Sequence, residues 1–137
     1  MDERRYEELE AEAANLGREA GLAAASWFFD GDTDEETYSR VLAGMDEGDP
    51  EVMDTLPSGW LSGEYAGDPT PQTLADDLGV DISDMEEADA FDGLCAAYER
   101  AADDASYEEI ERRARLHVDS ANERAVQYQK AGEHLGR

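Results

Sequence analysis

The chain has 137 residues, 40% of them hydrophobic, and its 36 acidic residues outnumber 11 basic ones to give a formal net charge of −25. This length accommodates one core in a single domain, residues 1–137, and the apolar content is sufficient for folding. Direct binding of nucleic acid or of an anionic membrane is excluded, because both need cationic side chains. Basic protein surfaces, cations and water at high salt are compatible partners.

Three further features predict a cytoplasmic protein. The N-terminus lacks the apolar segment of a signal peptide, and the longest apolar run, residues 20–29, is too short to span a bilayer. The single cysteine, Cys95, excludes an internal disulfide and fits a reducing compartment.

The N-terminal segment is predicted to form a long helix. Apolar residues recur there at steps of three and four, on one face: Tyr6, Leu9, Ala13, Leu16, Ala20, Ala23 and Trp27. The aromatic cluster of Trp27, Phe28 and Phe29 is expected to anchor the core. Gly17 and Gly21 weaken the helix interior by about 1 kcal/mol each, but such small residues also let a second helix approach closely.

Capping signals predict two more helices. Thr33 and Glu36 have the spacing of a capping box, and Gly48 is a helix-ending glycine. Asp49 followed by Pro50 is a cap residue with proline at the first helical position, which predicts a short helix to residue 55.

Residues 57–69 are predicted to be an irregular loop rich in glycine and serine. Three apolar or aromatic residues are expected to hold it on the core: Trp60, Leu61 and Tyr65. Thr70 and Pro71 repeat the cap-and-proline start, and Gly79 ends that helix.

Two more capping boxes, Ser83 with Glu86 and Ser106 with Glu109, predict a fifth and a sixth helix. Apolar residues follow both starts at helical spacing: Met85, Ala88, Phe91, Cys95, Tyr98 and Ala102, then Tyr107, Ile110, Ala114, His117, Ala121, Ala125 and Tyr128. The agreement of caps with periodicity predicts an all-α fold, a compact bundle of five to six helices.

The residue types used in catalysis or metal binding lack the spacing of a site. Asp30 and Asp32 resemble the start of a calcium loop, but the later positions of that loop do not match, so a helix break is favoured. His117 and His134 have no second ligand at zinc spacing, and a core or interface role is favoured for His117. Cys95 falls on an apolar helix face. The sequence predicts a non-enzymatic protein with no cofactor and no metal site.

Arg112, Arg113 and Arg115 form the only basic cluster. They are predicted to pair with carboxylates of the protein itself or of a second subunit. A homodimer through the first helix or the C-terminal helix is left open.

Residues 41–99 contain sixteen carboxylates and no lysine, arginine or histidine. Carboxylates three or four positions apart on a helix are about 5–6 Å from each other, which is near the spacing of phosphates along a strand. This pattern predicts a partner-binding acidic surface at the start of the fifth helix and on its neighbours: Asp76, Asp77, Asp81, Asp84, Glu86, Glu87, Asp89, Asp92, Asp46, Glu47, Glu51 and Asp54.

In size, helical character, acidity and lack of catalytic motifs, the chain resembles phage-borne DNA-mimic proteins that block restriction or CRISPR enzymes. That resemblance implies an inhibitor of a nucleic-acid-binding protein of host defence or DNA processing. Several segments are also similar to uncharacterised acidic proteins of actinobacteria and their phages, which implies a mobile-element setting: Trp27 with Asp30-Gly31-Asp32-Thr33, Gly48-Asp49-Pro50, Leu56-Pro57, Leu61-Ser62-Gly63-Glu64 and Thr70-Pro71.

An alternative is a soluble helical adaptor or virion-associated protein. Ten arginines against one lysine, with abundant acidic residues and alanine, are typical of a halophilic or GC-rich host. In molar salt the Debye length is about 3 Å, so the acidic residues would serve solubility alone. Residues 100–137 have a net charge of only −1, which is unlike an evenly acidic surface.

Overall fold

The structure, a computed structural model, describes residues 1–62 and 69–135, with side chains up to residue 123. Within these ranges there are five helices and no strand: α1 (Glu3–Phe28), α2 (Glu35–Glu47), α3 (Pro50–Met53), α4 (Pro71–Leu78) and α5 (Met85–Leu135). The all-α prediction is confirmed. The described part of the loop at 57–69 is also non-helical, as predicted. The predictions for Tyr65, Ala125, Tyr128 and His134 lie outside the described residues and side chains.

The chain packs as two compact units. The first contains Met1–Phe28 and Pro57–Glu108, and the second contains Phe29–Leu56 and Glu109–Arg137. Helix α5 contributes residues to both. The single domain expected from length stays a prediction.

In the first unit, α1 packs closely against the first half of α5. Gly17 lies against the backbone of Tyr98, and Gly21 lies against that of Ala102. Residue numbers rise together along both helices, so the two run parallel. A Cβ at either glycine would overlap a carbonyl oxygen of α5, so the predicted close approach of a second helix is confirmed.

The core of the first unit is built from α1, α4, α5 and the loop before α4. Its buried residues are Leu9, Ala13, Leu61, Leu74, Ala75, Leu78, Val80, Phe91, Leu94 and Tyr98. Trp60 packs against this cluster, and its indole N–H donates a hydrogen bond to Asp103 on α5. The predicted anchoring of the loop by Trp60 and Leu61 is confirmed.

The prediction that Trp27 anchors the core is wrong. Its side chain is 84% exposed, whereas Phe29 is buried. The buried residues of α1 recur at steps of four and end at Ala25. Because each residue advances about 100° around a helix, Trp27 lies about 200° from Ala25, on the solvent side. Ala23, predicted on the buried face, is also exposed.

The second unit contains α2, α3 and the second half of α5. Val52 of α3 packs onto Gly44 of α2, where no larger residue would fit. The ring of Tyr38 is buried, lies 4.4 Å from that of Phe29, and stacks at 3.9 Å on His117 of α5. Aromatic and aliphatic side chains thus form a second small core.

Two cap-and-proline starts and two glycine stops are confirmed. Asp49 caps α3 and Thr70 caps α4, each followed by proline. Gly48 and Gly79 follow α2 and α4 with a φ of 69°, the left-handed conformation that glycine adopts without strain. Helix α3 ends at Met53, two residues before the predicted end.

Two predicted caps are displaced by one residue. Thr33 bonds Asp30 in the helix break, and Asp34 caps α2 by accepting the N–H of Thr37. The carboxylate of Asp81 likewise accepts the N–H and hydroxyl of Ser83, and Asp84 accepts the first amides of α5 instead. In both cases the hydroxyl of the residue predicted as the cap donates a hydrogen bond to an aspartate that precedes it in the chain.

The predicted helix start at Ser106 is wrong, because α5 continues through it. Ser106 is 3% exposed and donates its hydroxyl to the carbonyl of Asp103, one turn earlier in the same helix. No glycine or proline occurs between residues 94 and 131 to end the helix. The fifth and sixth predicted helices are therefore one helix.

Candidate functional site

The twelve candidate carboxylates are divided between the two units. The first unit holds eight of them: Asp76, Asp77, Asp81, Asp84, Glu86, Glu87, Asp89 and Asp92. The second unit holds Asp46, Glu47, Glu51 and Asp54. The surface expected from the sequence thus corresponds to two groups of residues, one on each unit.

Four of the eight candidate carboxylates of the first unit are exposed and unpaired within the described part of the chain. Asp77 lies on α4, and Glu86, Asp89 and Asp92 lie on the first two turns and a half of α5. No hydrogen bond or ion pair engages them among the described residues. Asp76 is also exposed but accepts a hydrogen bond of 2.9 Å from Gln72.

Glu87 is a structural residue. One carboxylate oxygen accepts a hydrogen bond of 2.7 Å from Arg5 of α1, and the other accepts the backbone N–H of Asp81 at 2.9 Å. Its side chain is only 18% exposed. Arg5 also donates to the carbonyl of Gly79, at 3.4 Å. Glu87 therefore joins α1 and the α4–α5 connection to the start of α5.

Asp81 and Asp84 also accept hydrogen bonds, from residues two or three positions later in the chain. Two hydrogen bonds from Ser83 lower the pKa of Asp81 below its usual value, and the bond from the hydroxyl contributes more than the bond from the backbone N–H. Asp84 accepts the N–H groups of Glu86 and Glu87 as the cap of α5. Both carboxylates are exposed and add to the field of this surface, but their orientation is set by the turn.

Three of the four candidate carboxylates of the second unit have no partner among the described residues. Glu47, Glu51 and Asp54 are exposed, and their side chains have no bonding partner among the described residues. Asp46 lies 3.8 Å from the guanidinium of Arg115. Half of each of these two side chains is in solvent, so the pair contributes little to stability.

The arginine cluster is partnered within the protein, as the sequence predicted. Arg112 and Arg113 both bond Glu109, at 2.5 Å and 2.9 Å. These hydrogen bonds, with the smaller attraction of the two positive charges, lower the pKa of Glu109 to about 2. Arg115 contacts Glu111 at 3.3 Å as well as Asp46.

The other candidate residues do not form a reactive site. The described part of the chain has no group of three or more side chains positioned to hold a metal ion. Burial, with the nearby charges of Glu99 and Asp92, raises the pKa of the partly buried Cys95 thiol, which disfavours the thiolate. His117 is exposed and stacked on Tyr38 rather than buried in a core. The described helices include none with the length and apolar character of a membrane span.

The tertiary structure adds carboxylates that the sequence did not place in the candidate surface. Besides Glu86, Glu87, Asp89 and Asp92, the α1–α5 pair of the first unit carries ten more carboxylates, of which the first six lie on α1 and the last four lie farther along α5: Glu3, Glu7, Glu8, Glu10, Glu12, Glu19, Glu99, Asp103, Asp104 and Glu108. Those of α1 are interspersed with arginines, so they did not stand out as an acidic block. Only the packing of two helices distant in sequence adds them to the carboxylates of α5.

The charge of the first unit is high per unit length. It has twenty-one acidic residues and four arginines, a net charge of −17, against −8 for the second unit. The α1–α5 pair alone carries fourteen carboxylates and four arginines over about 39 Å of helix. That is one net negative charge per about 4 Å, against one per 3.4 Å along one strand of DNA.

Comparisons of the chain with protein families, with curated proteins and with solved structures found no match.

Proposed function

We propose that this protein is a non-enzymatic acidic protein that takes the place of nucleic acid on a basic, nucleic-acid-binding partner. In this role it acts as a DNA-mimic inhibitor of a host-defence or DNA-processing protein. The observation that carries the proposal is the net charge per unit length of the α1–α5 pair, which is close to that of a single DNA strand.

A groove that neutralises phosphates with lysine and arginine would neutralise carboxylates at this density in the same way. The field of a unit with net charge −17 attracts such a groove over a distance and speeds association. Binding would release counterions from both surfaces, so affinity should fall steeply as salt is added.

The residues proposed to contact the partner are the exposed, unpaired carboxylates of the first unit. Asp77, Asp89 and Asp92 can each be replaced without removing a hydrogen bond of the described structure. Glu87, by contrast, is committed to Arg5 and to the backbone. Partner binding and folding should therefore depend on different carboxylates.

The test is capture of proteins from lysate on the immobilised protein at 50 mM salt, followed by elution with an oligonucleotide. We expect the retained protein to bind DNA or RNA by itself and to be released by the oligonucleotide. Polyglutamate of equal total charge should release it less well, because a flexible chain does not hold its charges at fixed spacing.

Two variants with equal net charge provide the control. The first replaces Asp77, Asp89 and Asp92 with lysine, and the second replaces Glu47, Glu51 and Asp54 of the second unit with lysine. The first should lose capture and the second should retain most of it. Equal loss in both variants, or retention of no nucleic-acid-binding protein, would contradict the proposal.

A second candidate function is a helical adaptor or virion-associated protein of a saline or GC-rich host. It is favoured by one observation, namely that exposed carboxylates occur on every helix of the described structure. The saline-host form of this alternative predicts a protein that folds only in molar salt, whereas a mimic must be folded at the salt concentration at which it competes with nucleic acid. Circular dichroism from 0.01 to 3 M NaCl distinguishes them.

A further inference from the structure

Trp27 is the one exposed side chain among the described phenylalanine, tyrosine and tryptophan residues. It is 84% exposed and makes no hydrogen bond or ring contact within the described structure. The other described tryptophan, Trp60, packs on the core and bonds Asp103. Tryptophan is enriched among the few residues that contribute most of the binding energy in protein interfaces.

The surroundings of Trp27 are suited to a cation. It lies in the last turn of α1, which contains no basic residue and where the helix dipole places negative partial charge. Glu12, Glu19 and Ala23 share its face of the helix, within about 80° of rotation. All three are exposed, and the small side chain of Ala23 leaves the surface open between Glu19 and the indole.

We propose that Trp27 is the anchor for an arginine side chain of the basic partner. The guanidinium would stack on the indole face, and Glu19 and Glu12 would pair with further basic residues of the same segment, about two and four helical turns away from Trp27. This inference rests on the proposed function, because the charge of the first unit is what draws a basic segment to this face.

Arginine fits this site better than lysine for two reasons. Its planar guanidinium stacks on an aromatic ring while its edge still donates to a carboxylate. It is also less strongly hydrated than an ammonium group, so less is lost when it leaves water. The helix face that carries Trp27 should therefore bind an arginine peptide more tightly than a lysine peptide of the same charge.

The test uses the full chain and two synthetic decapeptides, one alternating arginine with glycine and the other alternating lysine with glycine. Binding at low salt is measured by calorimetry and by tryptophan fluorescence. We expect the arginine peptide to bind more tightly and to quench the indole. Trp27→Ala should weaken the arginine peptide about two- to fivefold and remove the preference, and Trp27→Phe should retain part of it.

Leu22→Ala is the matched control, since Leu22 is another exposed apolar residue of α1, at 43% exposure. It should leave both affinities unchanged. Because Trp27 is so exposed, its variants should fold, which circular dichroism verifies.

Three outcomes would overturn the inference. The role of Trp27 is contradicted if the two peptides bind with the same affinity, or if Trp27→Ala weakens both peptides equally. Either result leaves the proposed function intact. A Trp27-dependent dimer without peptide, seen by sedimentation, assigns the exposed indole to a second copy of the chain. Failure of both peptides to bind contradicts the proposed function as well.

Discussion

Glu87 and Asp89 lie two residues apart on α5 and carry the same charge, but their surroundings differ. The carboxylate of Glu87 is largely shielded and accepts hydrogen bonds from Arg5 and from the backbone of Asp81. Asp89 is exposed and has no partner among the described residues. The first carboxylate is expected to support folding, and the second is available to a binding partner.

We predict that Glu87→Ala lowers the free energy of unfolding by about 1–2 kcal/mol, through loss of a backbone hydrogen bond and of a partly exposed ion pair. Asp89→Ala should be neutral or slightly stabilising, because it removes a like charge at no cost in bonding. Urea unfolding followed by circular dichroism measures both. Equal effects of the two substitutions would show that Glu87 has no structural role.

At the scale of elements, the parallel packing of α1 on α5 depends on two glycines. Gly17 and Gly21 are four residues apart, about one helical turn, and each faces a carbonyl oxygen of α5. Glycine weakens an isolated helix, but here it lets the two backbones approach. The sequence predicted both the weaker helix and the close approach of a second helix. The structure identifies the approaching backbone as that of α5.

We predict that Gly17→Ala and Gly21→Ala each destabilise the protein by about 1–3 kcal/mol, since overpacking outweighs the gain of about 1 kcal/mol in helix propensity. Gly31→Ala is the control, because a Cβ at Gly31 meets nothing within 4 Å. It should change the free energy of unfolding by less than about 0.5 kcal/mol. Thermal unfolding of the three variants tests this, and stabilisation by Gly17→Ala would refute the close approach.

A second prediction for the elements concerns where α5 begins. Asp84→Ala should cost about 1 kcal/mol, because it removes the cap, and Asp84→Asn should not, because asparagine also accepts the amide bonds. Ser106→Ala should be near neutral, since alanine suits a helix interior. If Ser106 capped a separate helix, its replacement would cost as much as that of Asp84. Urea unfolding of the three variants separates these cases.

At the scale of the whole molecule, the net charge of −25 opposes folding, because like charges repel more in the compact state. Screening lengths fall from about 30 Å in 0.01 M salt to about 3 Å in 1 M salt. We predict that the melting temperature rises by several degrees between these NaCl concentrations. The Asp77, Asp89 and Asp92→Asn triple variant should show a smaller rise, and a melting temperature independent of salt would contradict the prediction.

Much of the fold could be predicted from sequence, and the candidate site only in part. The bounds of α4 and the caps Asp49 and Thr70 were predicted because a cap, a proline and a stop glycine act on adjacent amides. The caps at Thr33 and Ser83 were displaced because a preceding aspartate binds each hydroxyl first. In such turns an aspartate and a nearby hydroxyl can both serve as the helix cap. The spacing of residues in the sequence does not show which of the two will do so.

The sequence by itself determined the helical class, most helix ends and the size and sign of the charge, since these depend on composition and on neighbours within a turn. Only the tertiary structure decided that α5 is continuous at Ser106, that Trp27 faces solvent, and that Glu87 is engaged by Arg5. It also added the carboxylates of α1 to those of α5. Such features depend on which distant segments pack together, and no pattern within one helix contains that information.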